Sequence, residues 1–270
     1  MKRLMVVLAL LGLCATTYAD YVTGFEPPLY VGSPEGTLLT GQDAWYNPVE
    51  GSADYLVFTY AGNAYGFPDN PGGGDEQFAA GMSDGGTAYG RAQRDVDFSG
   101  RDEWTIVFDT AAKYLGTPPA TDYLGSFSLQ PSATNTYFQT LDIWQDLNNP
   151  GLWMANYVTE EFPAPGTNPG AAWQNLSPDH WYRQWTTFRF SDRLILEVGI
   201  TDLHTGESTT VSDPGWHLIP MGGALPTGVR FFSGGTVAGN TMAWDNLNIV
   251  PEPASLLGLS IGLLALVRRR

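Results

Sequence analysis

Glu103-Trp104-Thr105-Ile106-Val107-Phe108-Asp109 places its bulkiest side chains at every second position. At period two, Trp104, Ile106 and Phe108 share one face, and Thr105, Val107 and Asp109 share the other. Such a run sits on a core with one face only, as a strand does. Outward from it, runs of the same kind recur at 55–60, 125–129, 137–143, 152–158, 183–190, 194–201, 208–211, 228–232 and 241–249, each bounded by turn residues. Ser191-Asp192-Arg193 reads as a hairpin connection, and Leu203-His204-Thr205-Gly206-Glu207 as a second, with Gly206 free to take positive φ. Residues 62–90, with Pro68-Asp69-Asn70-Pro71-Gly72-Gly73-Gly74 inside them, show no such pattern and predict a long irregular loop. Long helical periodicity is absent. About ten short strands predict an all-β fold, one antiparallel β-sandwich of the jelly-roll type.

The two ends of the 270-residue chain read differently from this body. Lys2 and Arg3, an apolar run over 4–13, and Thr17-Tyr18-Ala19 form the three parts of a signal peptide, with cleavage after Ala19. A lipoprotein cleavage before Cys14 is disfavoured by the bulk of Leu13. Cys14 is the one cysteine, so the body has no disulfide framework and no thiolate metal site. At the other end, Val250-Pro251-Glu252-Pro253 precedes an apolar run over 254–267 and Arg268-Arg269-Arg270. Fourteen residues make about 21 Å of helix, short of the roughly 30 Å of a bilayer core. The expected organisation is a signal helix at 1–19, one sandwich domain at 20–249, and a short hydrophobic helix within 250–270.

Charge excludes one class of partner. Two of the 13 Lys and Arg lie in the N-terminal segment and three at the C-terminus, leaving eight in the body. Of 28 Asp and Glu, only Glu252 lies outside it, so the body carries a net charge near −19. Such a surface repels nucleic acid and attracts cations.

Thr23-Gly24-Phe25-Glu26 near the start of the body and Ala243-Trp244-Asp245-Asn246 near its end resemble the terminal strands of the concanavalin A-like lectin/glucanase jelly roll, LamG-type modules included. Trp185, Phe188, the run 194–196, Asp202 and Thr205-Gly206 match that family's central hairpin. The resemblance implies a Ca²⁺ ion where the terminal strands meet, held by Glu26 and Asp245, and oxygen donors of this kind suit a hard cation. It also raises glycoside hydrolysis, since the fold hosts laminarinase-like enzymes. Their Glu-x-Asp-x-x-Glu spacing does not occur here, and Glu197 and Asp202, five apart, point to opposite faces of an extended strand. His180, His204 and His217 match no zinc motif, and no Gly-x-Ser-x-Gly elbow or phosphate loop appears.

Five of nine tryptophans, 144, 153, 173, 181 and 185, fall within 42 residues. Indoles fill cores, and exposed ones stack on sugar rings. Trp173, in a Gly- and Pro-flanked loop, is the residue expected to be exposed; Trp173, Asn175 and Trp181 are the candidate ligand contacts.

The C-terminal segment resembles the PEP-CTERM sorting signal, with Pro251, Glu252 and Pro253 as the cleavage motif. That resemblance implies Sec export, retention at the inner membrane, and release to the cell surface by an exosortase, with exopolysaccharide as the surrounding material. The expectation is a non-enzymatic surface or matrix protein that binds polysaccharide. A glycoside hydrolase-like enzyme on the same fold and a purely structural adhesin stand as alternatives.

Overall fold

The computed structural model describes residues 21–73, 76–85, 89–115, 122–131, 137, 139–145 and 151–252. The signal segment with Ala19, and Pro253 with the apolar tail, lie outside them. Two sheets stack face to face. In the larger, β13 (Ser208–Ser212), β12 (Leu194–Asp202), β11 (Tyr182–Arg189), β7 (Glu103–Tyr114), β15 (Ala238–Pro251), β5 (Gln77–Asp84), β4 (Leu56–Thr59) and β2 (Thr37–Leu38) lie in that order. Strand β1 (Tyr21–Thr23) also pairs with β15, so both ends of the body meet in one sheet. The smaller runs β10 (Trp153–Val158), β9 (Gln139–Gln145), β8 (Tyr123–Gln130), β14 (Gly228–Ser233), β6 (Gly90–Asp95) and β3 (Ala53–Asp54). All of these pairs are antiparallel except β3 with β6. The all-β jelly-roll sandwich is the fold of this chain.

Alternation builds the core as the sequence predicts. Trp104, Ile106 and Phe108 of β7 are buried between the sheets. Phe108 stacks on Phe127 of β8 at 4.5 Å, and Trp244 of β15 stacks on Phe231 of β14 at 4.9 Å and 4°. These contacts cross the sandwich and fix how the sheets face each other. The 190–193 hairpin joins β11 to β12, and Gly206, at φ 78°, turns β12 into β13.

The expected loop at 62–90 is a correction. Gln77–Asp84 is an eight-residue strand paired with both β4 and β15. Its Ala79, Ala80 and Gly81 are small because both faces are packed: a Cβ on Gly81 would stand 2.5 Å from the Tyr55 ring. Buried on both sides, the strand has no polar face to alternate with, which hides it from period-two reading. Residues 60–72 fold over the outer face of the larger sheet. There Tyr60 and Phe67 join Phe58, Phe78, Ala111, Trp181 and Ala243 in a second apolar cluster.

Candidate functional site

The outer face of the smaller sheet carries a groove. Period two sends Phe127 and Leu129 of β8, Phe231 of β14, Ala92 of β6, and Leu141 and Ile143 of β9 inward. It sends Ser126, Ser128, Arg230, Phe232, Arg91, Asp142 and Trp144 outward, where they line one groove of about 380 Å³. Register sets them in rows. Arg91 is opposite Phe232, Phe232 opposite Ser126, and Ser126 opposite Asp142; the next row runs Gln93, Arg230, Ser128. The serines on the central strand make a low floor. Tyr123, Trp144 and Phe232 make a wall, with Tyr123 at 5.1 Å from Trp144 and 5.7 Å from Phe232.

A second depression of about 620 Å³ shares Tyr123, Trp144 and Phe232 and extends the groove past them toward Asp122 and Thr236. Asp122 makes its rim rigid. It accepts hydrogen bonds from the backbone N–H groups of Thr236 and Val237 and from Asn240 Nδ2 at 2.7 Å.

The groove's charged groups are held out of water. Arg230 donates from Nε and Nη2 to Gln93 Oε1 at 2.9 and 2.6 Å. Burial, followed by repulsion from Arg91, pushes its guanidinium down to about 10. Arg91 donates to Ser52 Oγ and lies over the Phe232 ring at 5.0 Å, and burial lowers its guanidinium too. Desolvation pushes the Asp142 carboxyl up to about 7, opposed by hydrogen bonding to Tyr123 and Trp144. A carboxyl titrating there exchanges protons near neutrality.

The residues expected from sequence lie elsewhere. Trp173 and Trp181 are fully buried, which corrects the exposure expected of Trp173 and leaves neither indole a surface to stack on a sugar. Trp173 closes a short 3₁₀ turn, Ala171–Trp173, held against β10 by the Trp153–Leu176 bridge. Trp181 packs into the second apolar cluster and donates from Nε1 to the Pro68 carbonyl at 2.8 Å. Asn175 is exposed, beside Tyr182 and Asp202 in a small depression away from the groove.

The residues present do not fit a Ca²⁺ ion held between Glu26 and Asp245. Glu26 Oε1 accepts the backbone N–H groups of Glu76 and Gln77. Asp245 is buried, accepts from Tyr60 Oη at 2.7 Å and Asn70 Nδ2 at 3.1 Å, and is pushed up to about 8 by desolvation. Its other oxygen accepts the Asn246 N–H at 2.8 Å, so both already take protein donors. The charge beside it belongs to Arg183, bidentate on Asp109 at 2.7 and 2.9 Å.

Among the described residues, the group whose donors come within 4.8 Å of one another is His180, Asp202 and His204. It fits a clasp better than a metal site. Asp202 takes His180 Nδ1 at 2.7 Å and the backbone N–H groups of His204 and Thr205, while His204 Nδ1 accepts the Trp181 N–H. With Nδ1 accepting, neutral His204 carries its proton on Nε2.

Pro251 ends β15 opposite Trp104, and the Glu252 N–H donates to the Glu103 carbonyl at 2.9 Å. The first residue of the predicted cleavage motif therefore belongs to the sheet, and the second is hydrogen-bonded to it.

Comparison with solved structures agrees on architecture. The carbohydrate esterase of the Shiga toxin-encoding bacteriophage phi24B matches with a TM-score of 0.55 at 11% identity, over 87% of this chain and 99% of that one. The PL-14 alginate lyase from Aplysia kurodai matches at 0.48 and 9%, over 87% and 100%. A Lotus tetragonolobus seed lectin matches at 0.41 and 12%, over 81% and 98%. The chain shares the concanavalin A-like fold. No family model matches it, and no curated protein sequence does.

Proposed function

We propose that the sandwich is a polysaccharide-binding module and that its site is the groove across β6, β14, β8 and β9. One observation carries this reading: Tyr123, Trp144 and Phe232 line both depressions of one continuous groove whose floor is hydroxyl and amide. Sugar rings offer an apolar face to aromatic side chains and a rim of hydroxyls to polar ones, and this lining supplies both. The fold shared with a carbohydrate esterase supports it. The ends of the chain support export and sorting to the cell surface, the exosortase and inner membrane being transient partners.

Calorimetric titration of the purified protein with a panel of oligosaccharides tests the site. Trp144→Ala weakens binding at least about tenfold, the worth of a stacked ring, while Trp181→Phe, a change in the second apolar cluster, leaves affinity unchanged. Equal effects of the two, or binding untouched by Trp144→Ala, would sink the assignment. A second reading, glycan cleavage with Asp142 as general acid, is favoured by its carboxyl standing at about 7. Release of reducing ends that Asp142→Asn abolishes supports that reading, and no release discards it.

A further inference from the structure

The clasp of His180, Asp202 and His204 ties three parts of the fold together. Asp202 ends β12, His204 stands in the turn to β13, and His180 lies just before β11. The His180 and His204 rings stack at 4.5 Å with 13° between their planes, and Asp202 bonds both segments. Trp181 is held to the turn through both of its main-chain groups. Its N–H meets His204 Nδ1 at 3.3 Å, and its carbonyl accepts the Leu203 N–H at 3.0 Å. Its indole reaches the third part. Nε1 donates to the Pro68 carbonyl, and the ring packs against Tyr60 at 6.0 Å and Phe67 at 6.1 Å, so the 60–72 segment rests on this residue.

The partners of each ring place its protons. Two bare acceptors cannot face each other at 2.7 Å, so His180 carries a proton on Nδ1 toward the Asp202 carboxylate. Against the desolvation of Asp202, the His180 bond and the amides of His204 and Thr205 hold its carboxyl below the ordinary carboxylate range. It therefore stays ionised in mild acid. His204 is the opposite case, because its one free lone pair is on Nδ1 and already takes the Trp181 N–H. A second proton on His204 goes to Nδ1, where it meets a donor instead of an acceptor. It also makes a cation that faces the His180 ring. Burial, followed by the charge of His180, holds the His204 imidazole below the ordinary histidine range, and Asp202 opposes them only in part. Arg183, further along β11, is turned to Asp109 and the Gly72 carbonyl, and Asp179 and Glu207 are exposed to water on the same two segments.

We infer that the clasp is an acid-sensitive latch: a proton taken up at His204 Nδ1 ejects the Trp181 N–H, drives the stacked rings apart and loosens the 60–72 segment that Trp181 supports. The closed latch binds a proton on His204 less readily than the open one. It is therefore closed above the ordinary histidine range and opens as pH falls through and below that range. Asp245 beneath the same segment, at about 8, gains its proton before this window. Asp142, at about 7, does titrate within it but belongs to the other sheet, so the latch is read at its own residues.

Nuclear magnetic resonance titration of the full chain from about pH 7 to about pH 5 reads the imidazoles and the Trp181 amide separately. The Trp181 N–H and indole signals are expected to shift with the midpoint of the His204 ring, below that of a free histidine. Hydrogen exchange over 60–72, corrected for its intrinsic pH dependence, is expected to quicken about fivefold, the worth of one lost hydrogen bond. His204→Gln keeps an acceptor for the Trp181 N–H without a titrating group, so it abolishes the quickening. His180→Gln removes the repelling ring and raises the His204 midpoint. Thermal unfolding at neutral pH confirms that each variant is folded; where one is not, the wild-type titration alone decides. Trp181 signals that do not follow the His204 midpoint overturn the latch. So does quickening that persists in His204→Gln, or a His204 midpoint that His180→Gln leaves in place.

Discussion

At the scale of single residues, burial decides what each acidic group is worth. Asp142 sits on the outer face of β9 with Tyr123, Tyr137 and Trp144 around it, in a groove that also holds Arg91 and Arg230. Its carboxyl stands at about 7 in the folded protein, above the ordinary 3.8. Between those values the folded state holds a proton that the unfolded chain has released, so stability falls as pH rises from about 4 to about 7. The loss is on the order of 4 kcal/mol. Asp142→Asn, which mimics the protonated form, should flatten this slope and raise stability above pH 7, as chemical denaturation across that range would read. A slope unchanged in the variant would assign the pH dependence to other groups, Asp245 at about 8 first among them. None of this shows in the local sequence: Thr140-Leu141-Asp142-Ile143 reads as strand alternation, and the desolvation comes from strands remote in the chain.

Elements were legible where one face is wet. The runs that became β7, β11 and β12 alternate, and their hairpin residues are the expected ones. Strand β5 was not, because its small residues are packed on both sides. The outer face of the larger sheet adds a device no spacing rule encodes. Arg183, Asp109 and Asp245 lie side by side on β11, β7 and β15, and Asn70 and Tyr60 close over them. This polar row ties the 60–72 segment to the sheet beside the second apolar cluster. Arg183→Met leaves the buried Asp109 without its cation. The expected cost is about 2–3 kcal/mol, below the roughly 3–5 of a fully buried pair because Arg183 is a third exposed. The double variant Arg183→Met with Asp109→Asn should recover part of that cost. A double-mutant cycle with no coupling would show that the pair does not hold the strap.

For the whole molecule, the ends and the middle separate cleanly. Strand β15 ends at Pro251, and Glu252 is the last described residue. Deleting 253–270 should leave the thermal midpoint of the body unchanged while shifting the protein out of the cell-surface fraction, read by fractionation and immunoblotting. Surface localisation that survives the deletion would remove the sorting role proposed for the tail. The sequence by itself determined the all-β class, most strands, both hairpins, the acidic surface and the character of the two ends. Each of these is written in period, composition or charge along a few neighbouring residues. Only the tertiary structure decided that Trp173 and Trp181 belong to the interior, and that Arg91, Asp142 and Arg230 share a groove. The reason is physical: burial and proximity are set by strands far apart in the chain, Arg91 and Arg230 being 139 positions apart, and chain-local alternation fixes a side chain's face without fixing what will cover it.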